Sequence, residues 1–271
     1  MKLKRPSANE SRSWYKITNH DTGSADLFLY GEIGYEVGAN DLVMALAALE
    51  AETITVRINS PGGDVFEGVA IYEALRSHKA TVNTQIDSLA ASAASFIALA
   101  GETVTISEFG QMMVHDPYTI GVGNAQDLRE TADLLDRQGD NIAGIYASRA
   151  GGSRSSWRDA MRVETWYSSE EAVKAGLADQ VKSAKDTKDE PLLAAKWDLS
   201  VFAHAGRENA PEPYLPVPED VEPEPEPWPS ASLIRAAMLR ARLEATKEPE
   251  PFMPTQDHAD AVRRALRGVA S

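Results

Sequence analysis

Three serines, Ser88, Ser92 and Ser95, lie in a segment of small and apolar residues that ends at Gly101. A serine hydroxyl inside a helix competes for backbone hydrogen bonds and is mildly unfavourable there. A serine can also act as a nucleophile when a neighbouring base takes its proton. The segment by itself is compatible with either close packing or acyl-transfer chemistry.

Three further stretches contain groups that such chemistry would need. The turn N-S-P-G-G-D, residues 59–64, contains Gly62 and Gly63. Consecutive glycines leave main-chain N–H groups free to stabilise an oxyanion, although the same turn can also simply join a strand to a helix. His115 ends the stretch M-M-V-H, where a structural histidine is the alternative, and Glu164 lies in V-E-T-W-Y-S-S.

Composition narrows the classes of function. The 271 residues include no cysteine and carry a formal net charge of −14, which excludes a thiol nucleophile and argues against nucleic acid or an anionic membrane as the main partner. No run approaches the roughly 18 apolar residues of a membrane helix, and no secretory h-region follows the basic start. No histidines or carboxylates show metal-ligand spacing. We therefore expect a cytoplasmic protein with neither a metal nor a cofactor.

Alternating strands and helices must position these residues. This order predicts an α/β domain with right-handed crossovers and a mainly parallel sheet. The predicted strands are Asp26–Ile33, Ile54–Asn59, Thr81–Ile86, Val104–Ile106 and Gln111–Val114, and the predicted helices are Ala39–Glu50, Val65–Ser77, Ser88–Ala100, Ala125–Arg149 and Ser169–Ala175.

The chain divides by composition. Residues 1–20 are expected to be flexible, 21–185 to form the compact domain, and 186–205 to extend it, with order to about Phe202. Residues 206–229 carry seven acids against one base, and eight prolines lie between 211 and 229, which predicts a disordered acidic linker. The apolar spacing within 230–271 predicts C-terminal helices.

The order of these motifs resembles the ClpP family of serine peptidases, and more closely the ClpP-like head-maturation (prohead) proteases of tailed phages. The resemblance covers roughly residues 26–182. It rests on I-N-S-P-G-G-D-V-F-E-G-V-A-I-Y, A-A-S-A-A-S-F-I-A-L-A-G, M-M-V-H-D-P and W-Y-S-S-E-E-A-V-K-A-G-L-A-D. It implies the ClpP/crotonase-like fold, a repeated β-β-α superhelix.

The resemblance also implies residue roles. The family's nucleophile precedes by nine positions the glycine that ends its helix, which matches Ser92. His115 matches the general base, and Glu164 stands where the best-known members carry an aspartate. Asp116 and Asp159 are weaker candidates for that third role. The implied oxyanion donors are the N–H groups of Gly63 and Ala93, with Gly62 as a further candidate.

The implied activity is that of a serine endopeptidase in a ring-shaped homo-oligomer, with helix 125–149 as a contact element. For the phage branch, the implied substrates are capsid and scaffold precursors in the host cytoplasm, with portal or capsid docking through the C-terminal segment. A housekeeping ClpP that works with an unfoldase ATPase, a crotonase-like acyl-CoA enzyme and a catalytically inactive assembly protein are the alternatives. A Ser–Lys peptidase is disfavoured, because Lys79 precedes Ser92 by only one strand.

Overall fold

The computed structural model describes residues 14–20, 22–34, 38–183 and 197–216, all within one compact unit that spans Met1–Glu222. The strands are β1 (Tyr15–Asn19), β2 (Ser24–Leu29), β3 (Thr53–Ser60), β4 (Thr81–Ala91), β5 (Thr103–Ser107), β6 (Gln111–Val114), β7 (Thr165–Ser168) and β8 (Gln180–Lys182). The helices are α1 (Ala39–Ala47), α2 (Val65–Arg76), α3 (Ala93–Ala98), α4 (Ala125–Ala150), α5 (Arg154–Arg162) and α6 (Ser169–Lys174).

One sheet organises the unit, with strand order β1-β2-β3-β4-β5-β8. Among the strands of the described residues, only the β1–β2 and β6–β7 pairs are antiparallel. Strand β4 has two neighbours on one side, because residues 83–86 pair with β5 and residues 89–91 pair with β6. The sheet therefore forks, and the last residues of β4 lie between β3 and β6.

Burial follows from the strand pattern. Alternate residues of β2 (Ala25, Leu27 and Leu29) point into the core, as expected for a strand with one buried face. Helix α2 follows its N-cap residue Asp64, whose side chain accepts hydrogen bonds from Phe66 N and Glu67 N. Such a cap satisfies N–H groups that lack helical partners.

The structure confirms a mixed α/β fold with a mostly parallel sheet and differs from the predicted elements in places. The predicted helix Ser88–Ala100 is wrong at its start, because β4 continues to Ala91 and α3 begins at Ala93. Small residues there allow close strand pairing as readily as helix packing. Residues 15–19, predicted to be flexible, form β1. Besides β1, three elements of the sheet unit were not predicted: α5, β7 and β8.

Residues 197–216, which we call the strap, pack against the sheet unit and contain two short 3₁₀ turns, Leu199–Val201 and Arg207–Asn209. Arg207 pairs with Glu171, and the Tyr214 ring meets the edge of Trp157 at 5.1 Å between centroids. The packed chain thus continues past Phe202 into the segment predicted to be a disordered linker. The rest of that linker, 217–229, and the predicted C-terminal helices lie outside the described residues.

Within the described ranges, no helix combines the length and apolar character needed to cross a lipid bilayer.

Candidate active site

Ser92 occupies the junction between β4 and α3. Its backbone has φ 53° and ψ −126°, a conformation that side-chain-bearing residues rarely adopt. The Ser92 N–H donates to the Met113 carbonyl at 2.9 Å. Because β4 pairs with β3 on one side and β6 on the other, the junction is fixed from both sides and Ser92 is held at the end of the strand.

His115 follows β6 directly and therefore reaches the same end of the sheet. Its Nε2 lies 2.8 Å from Ser92 Oγ, which is hydrogen-bond distance. The hydroxyl can donate to Nε2 only when the imidazole is neutral with its proton on Nδ1. Burial lowers the pKa of His115, and the charge of Glu164 opposes part of that shift. Because burial outweighs the effect of Glu164, the pKa stays below that of a free histidine, and the base beside the hydroxyl is neutral near pH 7.

The Gly62–Gly63 turn packs directly on Ser92. A Cβ on Gly62 would lie 2.6 Å from Ser92 Cβ, and one on Gly63 would lie 2.0 Å from the Ile33 carbonyl oxygen. Only glycine fits at either position, since both also have positive φ. The Gly62 N–H donates to Ser60 Oγ at 3.1 Å within the turn.

The other two expected oxyanion donors differ from Gly62. Among the residues that the structure describes, the N–H groups of Gly63 and Ala93 have no hydrogen-bond acceptor. Ala93 is the first residue of α3, where an N–H has no partner within its own helix. These two groups are therefore free to bind an anionic oxygen, whereas the Gly62 N–H is already used.

Glu164 is buried next to this pair but is not hydrogen-bonded to His115. It is 8% exposed and has φ 54°. Its carboxylate accepts hydrogen bonds from Trp166 Nε1 at 2.9 Å, from Ala203 N at 2.7 Å and from His204 N at 2.9 Å. It acts on the imidazole through its charge alone in this structure.

The two weaker candidates for the third role have partners elsewhere. Asp116 forms an ion pair with the buried Arg158, and Asp159 pairs with Arg162 at the surface. Lys79 pairs with Glu50, and both side chains are exposed. None of these groups is hydrogen-bonded to Ser92 or His115.

The remaining serines of the opening segment take no part in the Ser92–His115 pair. Ser88 is an exposed residue of β4. Ser95 is fully buried, donates to the Ser92 carbonyl at 2.6 Å and lies 2.7 Å from the Tyr146 hydroxyl. Because a serine hydroxyl has one hydrogen, Tyr146 must be the donor in the second bond. Burial raises the pKa of Tyr146.

The sequence did not identify the aromatic residues around the imidazole. The His115 ring contacts Tyr118 and Phe202 at centroid distances of 5.7 Å and 5.8 Å, both edge-on. Phe202 also contacts Trp166 at 5.7 Å. The apolar residues spaced through W-D-L-S-V-F, from Trp197 to Phe202, were the available signal. That pattern fits no regular element and therefore predicted only an extension.

Within the described residues, no group of three or more histidine, aspartate or glutamate side chains is arranged to hold a metal ion.

Comparison with known proteins identifies the family. The Clp protease family profile matches residues 8–185. A relative from Chlorella vulgaris, named ATP-dependent Clp protease proteolytic subunit, is 33% identical over 185 residues, covering 66% of this chain and 90% of the relative. Relatives of the same name from Pleurastrum terricola and Epifagus virginiana are each 30% identical, covering 59% and 64% of this chain and 84% and 91% of their own lengths. The chain therefore belongs to the Clp protease family of serine peptidases.

Proposed function

We propose that this protein is the proteolytic subunit of a Clp-type serine endopeptidase. The observation that carries the proposal is the 2.8 Å contact between Ser92 Oγ and His115 Nε2. A serine paired with a neutral histidine, next to free main-chain N–H groups, has the parts that acyl transfer requires. A crotonase-like enzyme would have no use for this pair.

In the proposed mechanism, Ser92 Oγ attacks the carbonyl carbon of a peptide bond while His115 Nε2 takes the hydroxyl proton. The N–H groups of Gly63 and Ala93 bind the oxyanion of the tetrahedral intermediate. His115 then gives its proton to the leaving amine, and the C–N bond breaks to leave an acyl-enzyme. Water repeats the sequence and frees Ser92. Glu164 stabilises the imidazolium through its charge, and no cofactor takes part.

The relatives favour a particular setting for this chemistry. Members of the Clp protease family form ring oligomers and cleave protein substrates, and we extend both properties to this chain. Because the three relatives are named ATP-dependent, we infer that an unfoldase ATPase delivers substrate to the ring. Addition of such an ATPase with ATP should start degradation of a folded protein that the ring alone leaves intact.

The expectation of a prohead protease receives no support from these relatives. Cleavage of capsid and scaffold precursors and docking through residues 230–271 remain predictions. Co-expression with a capsid precursor tests them, because an unprocessed precursor beside an enzyme that cleaves small peptides would exclude the role.

A fluorophosphonate probe tests the nucleophile directly. It should label the protein at Ser92, and Ser92→Ala should abolish both labelling and peptide cleavage. Ser88→Ala is the matched control, since Ser88 is exposed in the same segment and its loss should leave labelling unchanged. Labelling of the Ser92→Ala variant at the wild-type rate would overturn the assignment.

A further inference from the structure

The strap lies beyond residues 8–185, which the family profile matches, yet it contacts the active site. Trp197 Nε1 donates to Asn59 Oδ1 at 3.1 Å, beside the glycine turn. The Arg207 guanidinium makes two hydrogen bonds to the Glu171 carboxylate, and the Arg207 N–H donates to Gln111 Oε1 at 3.2 Å. The strap is thus held to the sheet unit at Trp197 and at Arg207, on either side of residues 202–204, which contact the site.

Between these attachments, the strap supplies two of the three donors to the Glu164 carboxylate. The N–H groups of Ala203 and His204 donate to different oxygens, Oε2 and Oε1. Hydrogen bonds to an ionised acceptor are about twice as strong as neutral ones. Without the strap, only Trp166 Nε1 would hold this buried side chain.

The strap also covers the base. Phe202 meets the His115 ring at 89° between the ring planes and leans on Trp166 at 74°. Tyr118 also contacts this ring, at 64° between the ring planes, so two aromatic side chains pack against the imidazole. Edge-to-face contacts between aromatic rings are favourable beyond the apolar area they bury, so this contact restricts the tilt of the His115 imidazole.

We propose that the strap is a positioning element of the active site, in which Phe202 orients the His115 imidazole and the N–H groups of Ala203 and His204 hold the Glu164 carboxylate. The proposal rests on the proposed function, because it concerns the same Ser92–His115 pair. The strap acts through His115 and Glu164, and its residues do not touch the reacting atoms.

The charged surroundings of His115 make the pH profile a suitable measurement. Ionisable groups on the elements around it are Glu164, Tyr118 of its own loop and His204 of the strap, while Asp116 is paired with Arg158. Of these, only Glu164 acts on the pKa of His115, which it raises against the lowering by burial. Removal of the Phe202 ring, which buries the imidazole, should therefore raise the pKa of His115, and removal of the Glu164 carboxylate should lower it.

The first test measures kcat and KM for a small peptide from pH 5 to 9 in full-length variants. Phe202→Ala should lower kcat about tenfold with little change in KM, and it should move the acid limb of kcat/KM to higher pH. Phe202→Leu should keep the wild-type acid limb of kcat/KM, because the leucine side chain still buries the His115 ring. Phe109→Ala is the matched control, because Phe109 is 83% exposed. An acid limb that stays in place in Phe202→Ala would overturn the role of Phe202.

The second test removes one donor to Glu164. Ala203→Pro deletes the N–H, and the preceding residue already has φ −93° and ψ 153°, which proline tolerates in its neighbour. Ala203→Gly, which keeps the N–H, is the control. Because a released carboxylate turns to water, Ala203→Pro should lower kcat and move the acid limb to lower pH, as Glu164→Gln should. A higher kcat in Ala203→Pro would show instead that the strap restrains the enzyme.

The two proposals fail in different ways. If the wild type neither reacts with a fluorophosphonate nor cleaves peptides, the proposed function is wrong. If the wild type is active and both strap variants keep its kcat and pH profile, only the positioning role is wrong.

Discussion

Replacement of Ser95 tests how the helix behind the nucleophile is fixed. Ser95 donates to the Ser92 carbonyl and accepts from the hydroxyl of the fully buried Tyr146. In Ser95→Ala, the Ser92 carbonyl still accepts from the residue 95 N–H at 3.0 Å. The Tyr146 hydroxyl, by contrast, loses its acceptor in the core.

The expected loss of stability follows from the Tyr146 hydroxyl alone, because the Ser92 carbonyl keeps a donor. A buried donor left without an acceptor costs about 1–3 kcal/mol, so Ser95→Ala should lower the free energy of unfolding by about 2 kcal/mol. For a domain of this size, that corresponds to a Tm lower by about 4–8 °C. Tyr146→Phe removes the orphaned group itself and should cost about 1 kcal/mol. The double variant should be no less stable than Ser95→Ala, with a coupling of about 1 kcal/mol.

Urea unfolding at one fixed protein concentration measures these differences, because a ring couples stability to concentration. Ser88→Ala is the control and should stay within about 0.5 kcal/mol of the wild type. Fluorophosphonate labelling of Ser95→Ala should fall less than tenfold, since Ser92 and His115 remain. Additive losses in the double variant would refute the Ser95–Tyr146 bond, and complete loss of labelling in Ser95→Ala with retention in Ser92→Ala would refute the choice of nucleophile.

Three further predictions concern the base and the strap. His115→Ala should match the activity loss of Ser92→Ala within about tenfold in peptide-cleavage assays, because residues that act as a unit are not additive, and a mild loss would assign the base elsewhere. Since burial lowers the pKa of His115, the base stays neutral to lower pH. The acid limb of the wild-type kcat/KM profile should therefore have its midpoint below pH 6.5, the pKa of a free histidine. A midpoint above pH 6.5 would contradict the burial argument. The Arg207 guanidinium lowers the pKa of Glu171 to about 2 from the usual 4.5. The pair should therefore contribute about 1 kcal/mol to the free energy of unfolding at neutral pH. This contribution is present in full above pH 4.5 and is lost as the pH falls toward 2. Comparison of Glu171→Gln with wild type in urea at pH 7 and pH 4 checks this, and equal stability at pH 7 would show that the pair contributes nothing.

Much of the fold could be predicted from the sequence because its elements have clear periods. Alternating apolar residues in β2 and a capped amphipathic helix after β3 are local signals, and the structure agrees with them. The boundary at Ser92 could not be predicted, because Ala90, Ala91 and Ala93 suit a strand as well as a helix. The helix starts later than predicted because Ala91 pairs with Met113 in the sheet, a contact between distant parts of the chain.

The candidate site shows the same division. Ser92 and His115 were predicted from the resemblance to the ClpP family, and the structure brings their side chains to 2.8 Å. The partners of Glu164 could not be predicted, because two of them are main-chain N–H groups about 40 residues later in the chain. Main-chain donors leave no trace in residue type. The contact of Phe202 with His115 likewise depends on the path of the strap.

The positive φ angles at Ser92 and Glu164 have an evolutionary consequence. Of the residues that the structure describes, only these two and Ala205 combine a side chain with positive φ. Glycine at such a position would relieve about 1–3 kcal/mol of strain, so glycine is among the stabilising substitutions that selection can accept wherever chemistry is not required. A lineage kept only for assembly would have no reason to resist that exchange at either position. By the same reasoning, Ser92→Gly is the inactive form best suited to trapping substrates, because it should fold more stably than Ser92→Ala.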